Sequence, residues 1–162
     1  MQLPIEILSG SATVPSYAHE TDSGADLYAS ESVIIPPYAV PTLWEQIKAF
    51  LGYKTEYPNN FAKVKTGISV LIPEGYEVQV RPKSGLGSKG LLPMLGTVDQ
   101  GYTGEIQVVL YNFTRKPYNV KAGQKIAQMV LAPVAHPTLV LKTFQTEVQT
   151  DRGSNGFGST GI

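Results

Sequence analysis

The 162-residue chain contains no cysteine. Disulfide staples and thiolate metal sites are therefore excluded, and the fold must rest on packing alone, which a chain of this length can supply as a single domain. Neither sign of charge is in excess: 13 Lys and Arg balance 13 Asp and Glu, for a formal charge of zero. A protein that grips nucleic acid through many phosphates needs a basic face, so the composition argues against that class and any anion site must be local. The sequence has no apolar run of membrane-spanning length, and its opening Met1-Gln2-Leu3-Pro4-Ile5-Glu6 lacks the basic patch and apolar stretch of a secretory signal. The expectation is a protein of the cytoplasm or another intracellular compartment, with no membrane partner. There are two histidines, His19 and His136, and neither shares the spacing that builds a zinc site. The glycosylation triplet Asn112-Phe113-Thr114 carries almost no weight without secretion.

What the chain does have is punctuation. Sixteen glycines and 12 prolines separate short segments rich in β-branched and aromatic residues, the pattern of an all-β sandwich or barrel and not of alternating βα units. The predicted strands are 5–8, 33–35, 64–72, 77–80, 106–112, 125–131 and 138–142. One helix is predicted, over 42–51: Thr42 is an N-cap with Glu45 completing a capping box, Leu43, Ile47, Phe50 and Leu51 recur at helical spacing, and Gly52 ends it. Its apolar face either packs on the barrel surface or docks a partner protein, and the exposure of Trp44 discriminates the two. The residues from 152 onward show neither periodicity, so the chain divides into a β domain, 1–151, with an inserted helix and loop at about 41–62, and a mobile glycine-rich arm, 152–162.

Several segments carry chemistry. The arm offers a guanidinium at Arg152, hydroxyls at Ser159 and Thr160, glycines that let backbone N–H groups approach an anion, and a stacking surface at Phe157. Fixing about ten such residues costs roughly 1–2 kcal/mol each, so only a strongly held ligand or neighbour could order them. The arm reads equally as a plain linker. Arg81-Pro82-Lys83-Ser84-Gly85-Leu86-Gly87-Ser88-Lys89-Gly90 combines cations with small residues, without the Gly-Lys-Ser/Thr ending of a P-loop; it also reads as a surface turn. Residues 96–105 read as a hairpin whose turn holds Asp99, and Asp26 sits in a glycine-containing turn at 22–29. Gln128 is a polar residue inside an apolar strand, where an outward-facing position would account for it.

Taken in order, these segments resemble the five motifs of the homotrimeric all-β deoxyuridine triphosphatase (dUTPase) family: 22–29, 82–86, 96–105, 123–128 and 152–161, the last reading Arg-Gly-x-x-Gly-Phe-Gly-Ser-Thr-Gly. The resemblance implies a jelly-roll-like β-barrel that hydrolyses dUTP to dUMP and pyrophosphate, with Asp99 activating the water that attacks the α-phosphorus. It implies that Gly96, Thr97 and Val98 read uracil through their backbone and that Tyr102 packs on the deoxyribose, crowding out a 2′-hydroxyl. Lys83, Ser84, Gly85 and Gln128 would contact phosphates, and Arg152, Gly156, Phe157, Gly158, Ser159 and Thr160 would close over the nucleotide, Phe157 on uracil and Arg152 on the terminal phosphate. Magnesium would ride on the phosphates, with Asp26 reaching its waters, and the active sites would lie between the subunits of a homotrimer.

The chain departs from the family pattern at three sites. Lys83 stands where arginine is usual, Gln124 replaces an often acidic residue, and Pro93 stands where many bacterial members have asparagine. The 41–62 stretch is longer than the plain family connection. Two other readings compete: a dCTP deaminase, which resembles this fold, and an interaction protein that uses the 42–51 helix.

Overall fold

In the computed structural model, residues 1–54, 59–141, 150 and 153 are described. Frequent glycine and proline keep every strand short. In chain order they are β1 (Ile5–Ile7), β2 (Ala25–Tyr28), β3 (Val33–Ile35), β4 (Phe61–Lys65), β5 (Ile68–Val70), β6 (Tyr76–Arg81), β7 (Leu91–Pro93), β8 (Gly96–Val98), β9 (Gln107–Asn112), β10 (Tyr118–Val120) and β11 (Lys125–Pro133). Two helices accompany them, α1 (Leu43–Phe50) and α2 (Ser84–Gly87). All pairings are antiparallel: a four-stranded sheet in the order β2-β11-β6-β8, a three-stranded sheet β4-β9-β7, and the ladders β1-β5 and β10-β3. The all-β, jelly-roll-like class holds, although the described ladders form separate sheets around one core and not a continuous closed barrel.

Alternation directs one face of each strand inward. Val108, Leu110 and Asn112 of β9 and Val78 and Val80 of β6 are buried, joining Leu27, Ile35, Ile68, Leu91 and Ile126. The β11 pairing with β2 slips between Lys125 and Ala127, an irregularity that lets the successive residues Ile126 and Ala127 both be buried. Asn112 is completely buried and fully used: its amide donates to the carbonyls of Ile35 and Lys116, and its Oδ1 accepts from the Thr114 backbone and hydroxyl. That burial rules it out as a glycan acceptor in the folded chain.

The predicted 64–72 strand is in fact two. Gly67 adopts φ +70°, where a Cβ would come within 2.8 Å of the Ala12 Cβ, and the turn separates β4 from β5. The 96–105 hairpin is also corrected: β8 pairs with β6, while β9 lies between β4 and β7 in another sheet. The 99–104 segment therefore links two sheets instead of folding one ribbon. Residues 138–141 form no strand, and 142 lies outside the described residues. Strands β2, β7 and β10 and the turn-and-a-bit of α2 were not expected from the sequence.

The α1 capping box forms as read: the Glu45 backbone donates to the Thr42 hydroxyl at 3.2 Å, and the Thr42 backbone donates to the Glu45 carboxylate at 2.6 Å. The packing does not follow. No residue of α1 is buried and Trp44 is 61% exposed, so the helix does not lay its apolar face on the β domain.

Candidate active site

The first half of the site grows from the end of β8. This strand closes the four-stranded sheet; one edge bonds to β6, with Val78 opposite Val98 and Val80 opposite Gly96, and the other edge pairs with no strand among the described residues. Asp99 follows, exposed, and the Tyr102 backbone N–H donates to its carbonyl at 3.0 Å, tightening the chain into a turn. The Tyr102 hydroxyl then donates to the Glu105 carbonyl at 3.0 Å. At the far end of the loop, the Glu105 carboxylate accepts from the Gly67 backbone at 2.8 Å. The result is a cavity of about 310 Å³ lined by Thr97, Val98, Asp99, Tyr102, Glu105 and Ile106 among others.

Gly104 is the residue that sequence reasoning missed here. A Cβ at this position would lie 2.5 Å from the Tyr102 hydroxyl oxygen and 2.6 Å from Cζ, well inside van der Waals contact. The only signal in the sequence is a glycine two residues beyond the tyrosine.

The second half lies where β2, β11 and β6 run side by side. Gln128 of β11 is opposite Asp26 on one side and Arg81 on the other, so Asp26 and the segment after Arg81 are brought to one row. Asp26 is only 2% exposed. Its Oδ1 bonds the Lys83 ammonium, and its Oδ2 lies 2.7 Å from Lys125 Nζ without an aligned hydrogen bond. Burial alone would raise the Asp26 pKa, but hydrogen bonding and attraction to Lys125 and Lys83 outweigh it and hold the carboxyl below its ordinary value. The same close pairing with the Asp26 carboxylate raises the Lys125 pKa. Lys125 was not anticipated; its signal was a cation within the fourth motif.

Gln128 does not face outward without a task. Its Nε2 donates to the Pro82 carbonyl at 2.9 Å, and its side chain lies so close to Gly24 that a Cβ there would meet Oε1 at 2.7 Å. The first, second and fourth motifs are thereby fastened together. Ser84 and Gly85 begin α2, and a Cβ built on Gly85 meets nothing within 4 Å. Gln124, the departure in the fourth motif, donates to the Tyr118 hydroxyl at 3.0 Å and accepts from the Lys121 backbone.

The two halves are not brought together within one chain. Asp99 follows Val98, which is level with Val78, whereas Lys83 lies past Arg81 at the opposite end of β6; the three steps from Val78 to Arg81 alone span about 10 Å. Arg152, Gly156, Phe157, Gly158, Ser159 and Thr160 lie outside the described residues. Among the described residues no three His, Cys, Asp or Glu side chains cluster as a metal site, and both Asp26 oxygens already face ammonium groups. No described helix is long and apolar enough to cross a membrane.

Comparison with known proteins places this arrangement. A dUTPase family model matches residues 52–161. The chain is 42% identical to the deoxyuridine 5'-triphosphate nucleotidohydrolase of a Picosynechococcus species, over 99% of both chains. The solved dUTPase of Staphylococcus bacteriophage 80alpha with dUPNHPP is similar at a TM-score of 0.80 and 26% identity, covering 99% of each chain. A mutant dUTPase from phage phi11 of S. aureus, described with a structural Mg(II) ion, is similar at a TM-score of 0.72 and 25% identity, covering 90% of this chain and 99% of the other.

Proposed function

The chain belongs to the dUTPase family, and from that premise we propose how its residues carry out the hydrolysis of dUTP to dUMP and pyrophosphate. Asp99 is the general base. It takes a proton from a water whose oxygen bonds to the α-phosphorus, while the bond from that phosphorus to the bridging oxygen breaks and its electron pair leaves with pyrophosphate. The observation that carries this role is the placement of Asp99 on the wall of the cavity that also holds Thr97, Val98 and Tyr102.

The edge of β8 that pairs with no described strand suits a planar heterocycle, because its alternating backbone donors and acceptors can complement a base edge. Gly96, Thr97 and Val98 read uracil there, and the Tyr102 ring packs on the deoxyribose where a 2′-hydroxyl would collide. Lys83, Ser84, Gly85 and Gln128 serve the phosphates. The arm residues Arg152, Gly156, Phe157, Gly158, Ser159 and Thr160 close over the nucleotide, and the substrate enters as its magnesium complex. Asp26 would reach the water shell of that magnesium, which would supply charge neutralisation on the triphosphate.

The separation of Asp99 from Lys83 along β6 and β8 supports a homotrimer with shared sites, each combining the cavity of one subunit with the phosphate cluster of another. The activity supports a compartment that holds nucleoside triphosphates, the cytoplasm or another intracellular space. Full-length relatives that carry the hydrolase name favour this reaction over deamination of dCTP. The exposed Leu43, Trp44 and Phe50 of α1 support a second role, docking of a protein partner on 42–51.

Replacing Asp99 tests the assignment of the base. Asp99→Asn should lower kcat for pyrophosphate release by about 10²–10⁴-fold while nucleotide binding, measured by calorimetry, stays close to that of the parent. Full turnover by this variant would remove Asp99 from the role.

A further inference from the structure

Asp26 has two cationic neighbours where one would balance its charge. The carboxylate is almost completely buried, whereas the side chains of Lys83 and Lys125 are 28% and 48% exposed. The two lysines are held differently. Lys83 precedes α2, in a connecting segment next to Ser84 and Gly85. Lys125 belongs to β11, faces Tyr28 across the β2 ladder, and places its Nζ 5.9 Å from the centre of the Tyr28 ring. Lys83 is therefore the ammonium beside the proposed phosphate contacts Ser84 and Gly85, and Lys125 the one carried by a strand and set over the Tyr28 ring.

We propose that Lys125 is a positioning residue: it keeps buried Asp26 neutralised when Lys83 turns from the carboxylate to a phosphate of the bound nucleotide. The inference rests on the reading of Lys83 as a phosphate contact. Removing one partner from a buried ion pair leaves an uncompensated charge at low dielectric, which opposes the move strongly. With Lys125 in place, the departure of Lys83 changes the site from two cations on one anion to a matched pair. Lysine also suits this exchange better than arginine, because a point charge on a flexible stem can leave a carboxylate without breaking a bidentate fork. On this reading Lys83, standing where arginine is usual, is one part of a three-residue device.

Steady-state hydrolysis of dUTP by the assembled protein tests it through a double-mutant cycle. Lys125→Gln should raise KM on the order of tenfold with a smaller change in kcat, and Lys125→Arg should restore the parent value. In an Asp26→Asn background no buried charge remains, so adding Lys125→Gln should leave KM unchanged. A parent-like KM in Lys125→Gln, or a tenfold difference between Asp26→Asn and Asp26→Asn/Lys125→Gln, would overturn the inference. The second comparison stands even if Lys125→Gln alone does not fold. Lys83→Gln separates the two levels of argument: an unchanged KM there would overturn the phosphate reading and this inference together, whereas a raised KM with an unaffected Lys125→Gln overturns the inference alone.

Discussion

Tyr102 occupies its place because Gly104 leaves room for it. The ring lies where any β-carbon at 104 would be, and the hydroxyl is bonded to the next carbonyl along the chain. Gly104→Ala should therefore push the ring off the cavity wall. We expect a lower kcat/KM for dUTP and a smaller preference for dUTP over UTP, read as the ratio of the two kcat/KM values, with the fold retained by circular dichroism. Asp26 makes a prediction of a different kind. Its folded pKa is lowered, so it contributes stability above about pH 4, where an unfolded aspartate is ionised, and that contribution is lost as pH falls through the lower folded value. The thermal midpoint of the parent should fall more steeply between pH 5 and pH 3 than that of Asp26→Asn. Lys125, whose pKa is raised, acts at the other extreme: its contribution is present below the ordinary lysine range and fades only as pH rises beyond it. Asp99, Tyr102, Lys83 and Gln128 are singled out in the sequence by their places in the motifs that carry the family resemblance, since motif order is readable without the fold. Lys125 is not, because its partner Asp26 is distant in sequence, and Gly104 is not, because only the turn of the 99–105 loop brings the Tyr102 ring back over it.

At the scale of elements, α1 was the most legible. Its caps are encoded within ten residues, and they form as the sequence specifies. Its packing was not legible, since an apolar stripe says that a helix face is sticky and does not say what lies opposite. Because no residue of α1 is buried, replacing Leu43 and Phe50 by serine should shift the thermal midpoint and the dUTP turnover little, on the order of 0.5 kcal/mol or less per site in stability. A large loss of stability would mean that the helix is packed after all. The missed strands have separate causes. β2 carries a charged residue just after the turn formers Asp22, Ser23 and Gly24, yet Asp26 is buried in it because the side chain of Lys125, from β11, brings an ammonium to its carboxylate. β7 ends on a proline and β10 has three residues, too few for a period-two pattern to stand out. The false hairpin at 96–105 arose because adjacency in sequence favours local pairing, whereas β6, lying earlier in the chain, takes β8.

At the scale of the whole molecule, the sheet class was readable from punctuation and composition, but the distance between Asp99 and Lys83 was not. The resemblance already implies sites shared between subunits, and the β6–β8 register supports that reading by setting Asp99 and Lys83 toward opposite ends of β6. This makes the assembly testable by complementation. Mixed under conditions that exchange subunits, Asp99→Asn and Lys83→Gln chains should regenerate activity, because some sites then draw an intact Asp99 and an intact Lys83 from different protomers. Random mixing at equal amounts gives intact pairs at up to about a quarter of the sites. Recovery no greater than the sum of the separate variants would place both residues in the same subunit's site.

The unpaired edge of β8 also has a bearing on solubility. Among the described residues no strand covers that edge, and its three-residue length and the turn that begins at Asp99 limit its use as a template for another chain. A nucleotide lying along that edge would act as a plug as well as a substrate. The concentration of free nucleotide would then govern how long a dilute, partly dissociated population resists clumping.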